Sequence, residues 1–414
     1  MNKILKGNFI FTDENRNLVI KPNAYGVCEN GLCHGIFDQI PIRYLTYEVL
    51  DFDDCLIIPG LCDLHLHAPQ YEVRGAGMDC ELLDWLNKYI FPVERKYSNL
   101  QYAKVMYSRF VSGLLASPTS RAVIFGTIFK ESTLELMKLL ELSGLHTFVG
   151  KVNMDRNSPS YYMESSVATS ISDTIAWLEQ CNFTNTLPII TPRFVPSCSE
   201  ELLHKLGELL FSYNLNVQSH LCENINEVDL VKQLHPNENS YSAIYNKYSL
   251  FGSINKSIMA HCVYCSDEEI ELSKKNNVFV AHCPSANINL ASGIAPIRLF
   301  LDKGVNVGLG TDIGAGHSLN LFNEMVCAIQ LSKISKLKPL SIQDVFFMAT
   351  RGGGSFFGKV GAFDLNFDFD ALVIDDSNIN LDGNFSLSQR LERLIYLSTE
   401  CQLISKFVKG VRLF

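Results

Sequence analysis

Eight apolar, β-branched runs recur along this chain, separated by segments long enough for helices. They are Leu56–Leu64, Ala122–Thr127, Thr147–Val152, Leu187–Thr191, Asn216–Ser219, Ser257–Ala260, Asn277–Ala281 and Val305–Leu309. Runs with no polar alternation read as strands buried on both faces, and that burial is what helices crossing over a parallel sheet provide. The connecting segment Leu203–Tyr213 carries its apolar residues at helical spacing. Eight such units predict an α/β fold, a (β/α)8 TIM barrel over residues 57–361. Residues 1–56 and 362–414 are strand-like instead, with Lys6–Phe11, Ala371–Ile374 and Phe407–Phe414 as strands and Asn30-Gly31 as a hairpin turn. Packing the two ends together predicts a small β-sandwich domain beside the barrel.

Composition narrows the function classes. The 414 residues are 47% hydrophobic and 19% charged, a globular balance. A net charge of −9 makes a nucleic-acid polymer or an anionic membrane a poor partner, but leaves a small neutral base open. Neither a signal-peptide core nor a membrane span is visible, so a cytoplasmic location is expected. Thirteen scattered cysteines fit a reducing compartment. Cys262 and Cys265 form a C-x-x-C without a second pair, and packing is the simpler reading.

Polar residues fall where the apolar runs end. Strand alternation puts His65 and His67 on one face, and later runs end in His220, His261, His282 and Asp312. In a barrel these ends open onto one face, where active sites lie. One such histidine is explained by packing; four strands delivering histidines, with an aspartate, point to a metal site. The expected ligands are His65, His67, His220 and Asp312, with one position left for water. Imidazoles and a carboxylate suit zinc, with iron(II) as the competitor. The fourth run ends in Thr191-Pro192-Arg193 with no lysine to bridge two ions, so one metal per chain is expected. Glu223, three residues after His220, is placed to shuttle a proton; its bland alternative is a carboxylate at a helix start.

These residues resemble the amidohydrolase superfamily and, more narrowly, its guanine-deaminating branch. The resemblance covers nearly the whole chain. It is carried by Pro59-Gly60-Leu61-Cys62-Asp63-Leu64-His65-Leu66-His67-Ala68-Pro69-Gln70-Tyr71, by Trp85 through Pro92, and by Gly150-Lys151-Val152-Asn153-Met154-Asp155. Thr191-Pro192-Arg193-Phe194, Ala281-His282-Cys283-Pro284 and Leu309-Gly310-Thr311-Asp312 complete it. It implies the same four ligands, Glu223 as proton shuttle, and His261 holding the activated water, with Asp312 assisting. It further implies guanine as substrate, against Gln70, Arg193 and Phe194 and close to His67, His220, Glu223 and Asp312, and a homodimer. His282 stays open between structural and functional roles. Trp85 and Phe91 are expected to serve packing. Two segments depart from the family pattern, Pro118-Thr119-Ser120-Arg121 and Ser398-Thr399-Glu400-Cys401. Competing readings are a deaminase of another aminated ring and a catalytically dead protein on the same fold; the retained ligands speak against the second. Nucleobase deaminases of the H-x-E, P-C-x-x-C type are excluded, since neither motif pair occurs.

Overall fold

A computed structural model describes residues 2–381 and 383–414; Met1 and Asp382 lie outside the described residues. Eight parallel strands follow one another around a ring: Leu61–His67, Thr119–Phe125, His146–Gly150, Thr186–Pro188, Val217–Leu221, Ser257–His261, Phe279–His282 and Asn306–Leu309. The eighth pairs with the first, and a parallel bridge from Ile190 to Val217 closes the gap between the fourth and fifth. Every residue of the first two strands is buried, as expected of strands with both faces covered. The expected barrel is therefore observed. Helices such as Leu100–Ala116 and Glu200–Ser212 connect the strands, the second capped by the Ser199 hydroxyl accepting from Leu202 N–H.

Both chain ends join one further sheet. Its strands run in the order Val411–Arg412, Gln402–Val408, Ala371–Asp375, Glu48–Pro59, Asn2–Thr12, Leu18–Glu29 and Leu32–Phe37. Asn30 and Gly31 take φ of 51° and 82° at the tip of the hairpin, the left-handed pair that a tight two-residue turn needs. Segment 366–370 ties the far edges together. Cys33 N–H donates to Phe367 O at 2.7 Å, Phe369 N–H to Gly31 O at 2.8 Å, and Gly410 N–H to Phe369 O at 2.8 Å. Phe9, Phe363, Phe369 and Phe407 fill the enclosed core, Phe9 and Phe363 edge to face at 5.2 Å.

Two runs divide where the sequence suggested continuity. Leu56–Leu64 splits at Gly60: the residues before it belong to the end sheet and those after it to the barrel. Gly60 N–H donates to Asp370 O, and a Cβ here would stand 2.2 Å from Ser120 Oγ, so only glycine lets the strands pass. Phe407–Phe414 is a hairpin turning at Lys409 and Gly410 rather than one strand.

Both departures from the family pattern line one surface groove, through Pro118 on one side and Ser398, Thr399 and Cys401 on the other. Arg121 has a structural task. Buried at the entry of the second strand, it donates to Asp370 at 2.6 Å and Asp368 at 2.8 Å, joining the barrel to the end sheet.

Candidate active site

The carboxyl ends of the strands deliver their polar residues to one point. Asp312 Oδ1 lies 3.2 Å from His65 Nε2 and 3.4 Å from His67 Nε2. His67 Nε2 and His220 Nε2 approach to 3.2 Å. His261 Nε2 is 3.4 Å from Glu223 Oε2 and 3.9 Å from Asp312 Oδ2. All of these side chains are buried. His261 and Asp312 take left-handed backbone, φ of 73° and 46°, an uncommon conformation that turns each side chain inward at its strand end.

Whether these residues suit a metal is decided by their free atoms. His65 Nε2 and His261 Nε2 are buried without a hydrogen-bond partner, an expensive state for a polar atom unless something else binds it. Two overlapping groups, His65 with His220 and His261, and His65 with His67 and Asp312, bring one donor atom each within 4.8 Å. Burial pushes the imidazoles of His67 and His220 well below their usual range, with neighbouring His65 adding to it, and pushes His261 down to about 4. Neutral imidazole is the form that ligates. The far side of His220 is fixed by its Nδ1 on Arg193 O at 2.5 Å, and that of His261 by its Nδ1 on Asn287 Oδ1 at 2.8 Å. The donor set therefore fits a metal ion.

Glu223 stands just before the helix Ile225–Leu234 but does not cap it. The helix Ile225–Leu234 is capped by Asn224, and Glu227 completes the capping box. Glu227 Oε2 also accepts from Glu223 N–H at 2.8 Å. Glu223 is left to face His261. Burial raises its carboxyl well above the usual range, with Asp312 and Glu227 adding to it.

A cavity opens over the cluster, lined by His67, His220, Glu223, His261 and Asp312. Its remaining wall holds Gln70, Arg193, Phe194, Leu82, Trp85, Leu86, Leu290 and Ala315. Trp85 is part of a buried hydrophobic cluster, in line with its expected packing role, and one face of it also lines the cavity; its indole N–H donates to Ala76 O at 2.9 Å. Phe91 stands behind Arg193, its ring centre 5.1 Å from the guanidinium. His282 lies outside this cavity, lining another one with Arg298 and Ser332, and burial lowers it to about 3.

One residue of the site was not read from the sequence. Glu94, fully buried, receives Arg193 Nη1 at 2.7 Å and Nη2 at 3.3 Å, and Gln70 Nε2 at 2.8 Å. Gln70 Oε1 in turn accepts from Gly314 N–H at 3.2 Å. The two polar residues of the cavity wall are therefore held by one carboxylate. The signal was a lone acid between Phe91-Pro92-Val93 and Tyr97, easily taken for a solvent-facing helix position.

Residues 56–413 match the model of the amidohydrolase family, and the chain belongs to that family. Among its relatives, the guanine deaminase of Rattus norvegicus is 36% identical over 393 residues, covering 90% of this chain and 85% of that protein. The guanine deaminase of Escherichia coli (strain K12) is 33% identical over 400 residues, covering 94% and 88%. The structure of guanine deaminase from C. acetobutylicum with bound guanine in the active site superposes with a TM-score of 0.96 at 46% identity, over 100% of both chains.

Proposed function

We propose that this protein deaminates guanine hydrolytically, giving xanthine and ammonia. The observation that carries the reading is a single cavity in which the histidine–carboxylate cluster with Glu223 faces the polar pair Gln70 and Arg193. The likeness to guanine deaminases, one of them with guanine bound, supports it. His65, His67, His220 and Asp312 would hold one metal ion, zinc or in its place iron(II). When bound, the ion acidifies a water toward a pKa of about 7 and so supplies a nucleophile at neutral pH.

The chain's own residues do the rest. Arg193 keeps N–H groups beyond those held by Glu94, and these suit the O6 acceptor of guanine while repelling the amine that adenine carries there. Gln70 adds a donor for the ring. Phe194 and Trp85 supply apolar wall. Water attacks C2, and Glu223, already close to His261, takes the water proton and delivers it to N3. The new hydroxyl then gives its proton to the amine, the C–N bond breaks, and ammonia leaves as the C2 carbonyl forms. His261 and Asp312 hold the water in line for this.

The domain division follows the same reading, with 57–361 as the catalytic barrel and 1–56 with 362–414 as the small domain. The bonds of segment 366–370 to both edges of the end sheet support a sandwich-like closure of that sheet. A homodimer working in cytoplasmic purine catabolism agrees with the family resemblance and with the free state of all thirteen cysteines. No helix among the described residues is long and apolar enough to cross a membrane. The test is ammonia release from guanine, adenine and cytosine by the purified protein. Guanine should be preferred by ~10⁴ or more in kcat/KM, the discrimination a hydrogen-bonding pocket can reach. Comparable rates on all three bases would refute the assignment.

A further inference from the structure

Beneath the strand-end loops a second cluster of donor atoms lies away from the cavity. Cys222 ends the fifth strand's extension, and Cys265 is the second cysteine of the C-x-x-C after the sixth strand. Cys222 Sγ lies 3.8 and 3.9 Å from the two carboxylate oxygens of Glu269. One donor atom each of Cys222, Cys265 and Glu269 falls within a span of 4.8 Å. The sequence offered only the C-x-x-C; folding supplies the missing sulfur and an acid.

We propose that Cys222, Cys265 and Glu269 form a binding site for a thiophilic divalent cation, zinc or cadmium, distinct from the histidine cluster. Distances support it. With metal–sulfur bonds of about 2.3 Å and metal–oxygen bonds of about 2.0–2.2 Å, tetrahedral donors stand roughly 3.5–3.8 Å apart, close to the 3.8 and 3.9 Å between Cys222 and Glu269, and Cys265 lies within 4.8 Å of both. Two sulfurs with one oxygen favour these ions over magnesium or calcium. Glu269 is already oriented. Its Oε1 accepts from Ser242 N–H at 3.0 Å and its Oε2 from Ser266 N–H at 2.9 Å, and each oxygen retains a lone pair for a cation. An access route is present too. Cys222 and Glu269 line a cavity with His235 and Tyr241, and Cys265 is partly exposed. Loading releases the two thiol protons and forms two metal–sulfur bonds and one metal–oxygen bond. Cys222 precedes Glu223 and Cys265 follows His261 by four residues, so an ion here fastens together the two loops that carry them.

The probe is cadmium added to the protein with its as-isolated metal in place. The histidine cluster offers no sulfur, so thiolate-to-cadmium charge-transfer absorbance in the ultraviolet excludes it, and the loss of the band in Cys265→Ser separates this site from the other free cysteines. The expected result is a band that saturates at one equivalent per chain and is lost in Cys265→Ser, the variant at the partly exposed position. Glu269→Gln keeps the sulfurs and one of the two accepted backbone bonds but removes the charge, so its band should persist with binding weaker by roughly tenfold or more. This second variant decides the matter if Cys265→Ser does not fold. Absence of the band in the wild type would overturn the proposal. So would a band undiminished in Cys265→Ser, or cadmium affinity unchanged in Glu269→Gln.

Discussion

Replacing Glu94 by Gln tests how the cavity wall is held, because it removes charge while keeping shape. Glu94 and Arg193 are both buried, joined by two hydrogen bonds, and Gln70 leans on the same carboxylate. Hydrogen bonds to a charged group are worth about 1.5–3 kcal/mol, and leaving one member of a buried ion pair without its partner costs about 3–5 kcal/mol. The amide retains one acceptor, so the lower end applies: a stability loss of about 3 kcal/mol, read as a lower midpoint of chemical denaturation. Arg193 and Gln70 both lose their anchor, so guanine kcat/KM should fall by ~10², the rate equivalent of about 3 kcal/mol. Metal content should not change, since Glu94 touches none of the expected ligands. Arg193→Met is a less clean probe, because it leaves Glu94 buried and unpaired. A Glu94→Gln enzyme with wild-type stability and wild-type kcat/KM would refute the claim that one carboxylate organises the wall.

Three further outcomes are expected. Glu223→Gln should lower kcat by ~10²–10⁴ with metal content intact, as measured by steady-state kinetics and elemental analysis; near-normal turnover would remove Glu223 from the proton path. Chelation should abolish activity and one equivalent of zinc should restore it, with the Cys265→Ser protein carrying close to one ion per chain; full activity without metal would contradict the role given to the histidine cluster. Glu324 is buried against Ser285, which donates from its hydroxyl at 2.6 Å and its N–H at 3.1 Å, and burial raises its carboxyl from 4.5 to about 8. The folded protein then holds a proton that the unfolded chain releases, so this contribution is full below pH 4.5 and is lost as pH rises toward 8. Glu324→Gln should flatten that fall in stability, and an unchanged pH profile would count against it.

The barrel and most of the histidine–aspartate cluster were legible in the sequence for one reason: parallel strands advertise themselves as unbroken apolar runs, and a histidine closing such a run is conspicuous. His65 and His67 could be placed on one face by alternation alone. What escaped was whatever depended on three-dimensional neighbours. Glu94 gave no periodic signal, and its partners Gln70 and Arg193 are remote in the chain. Cys222 had no reason to be grouped with Cys265 until two adjacent strands brought their loops together. Gly60 was hidden inside a continuous apolar stretch, because a change of sheet leaves hydrophobicity untouched. Asp63, buried behind the H-x-H, accepts from Thr311 N–H at 3.0 Å and locks the first strand to the eighth; it read only as one more acid in a motif.

The sheet shared by both chain ends sets the order in which the molecule can be completed. Leu56–Pro59 pairs with Ala371–Ile374, so the long N-terminal strands find this neighbour only after nearly all of the chain has left the ribosome. Contacts this distant in sequence form slowly, and until they do Glu48–Pro59 presents an unpaired edge. A chain cut before residue 371 would keep every proposed catalytic residue and still leave that edge open to strands of other copies. Its shortfall would then be visible as aggregation during synthesis, before any defect in chemistry could be measured.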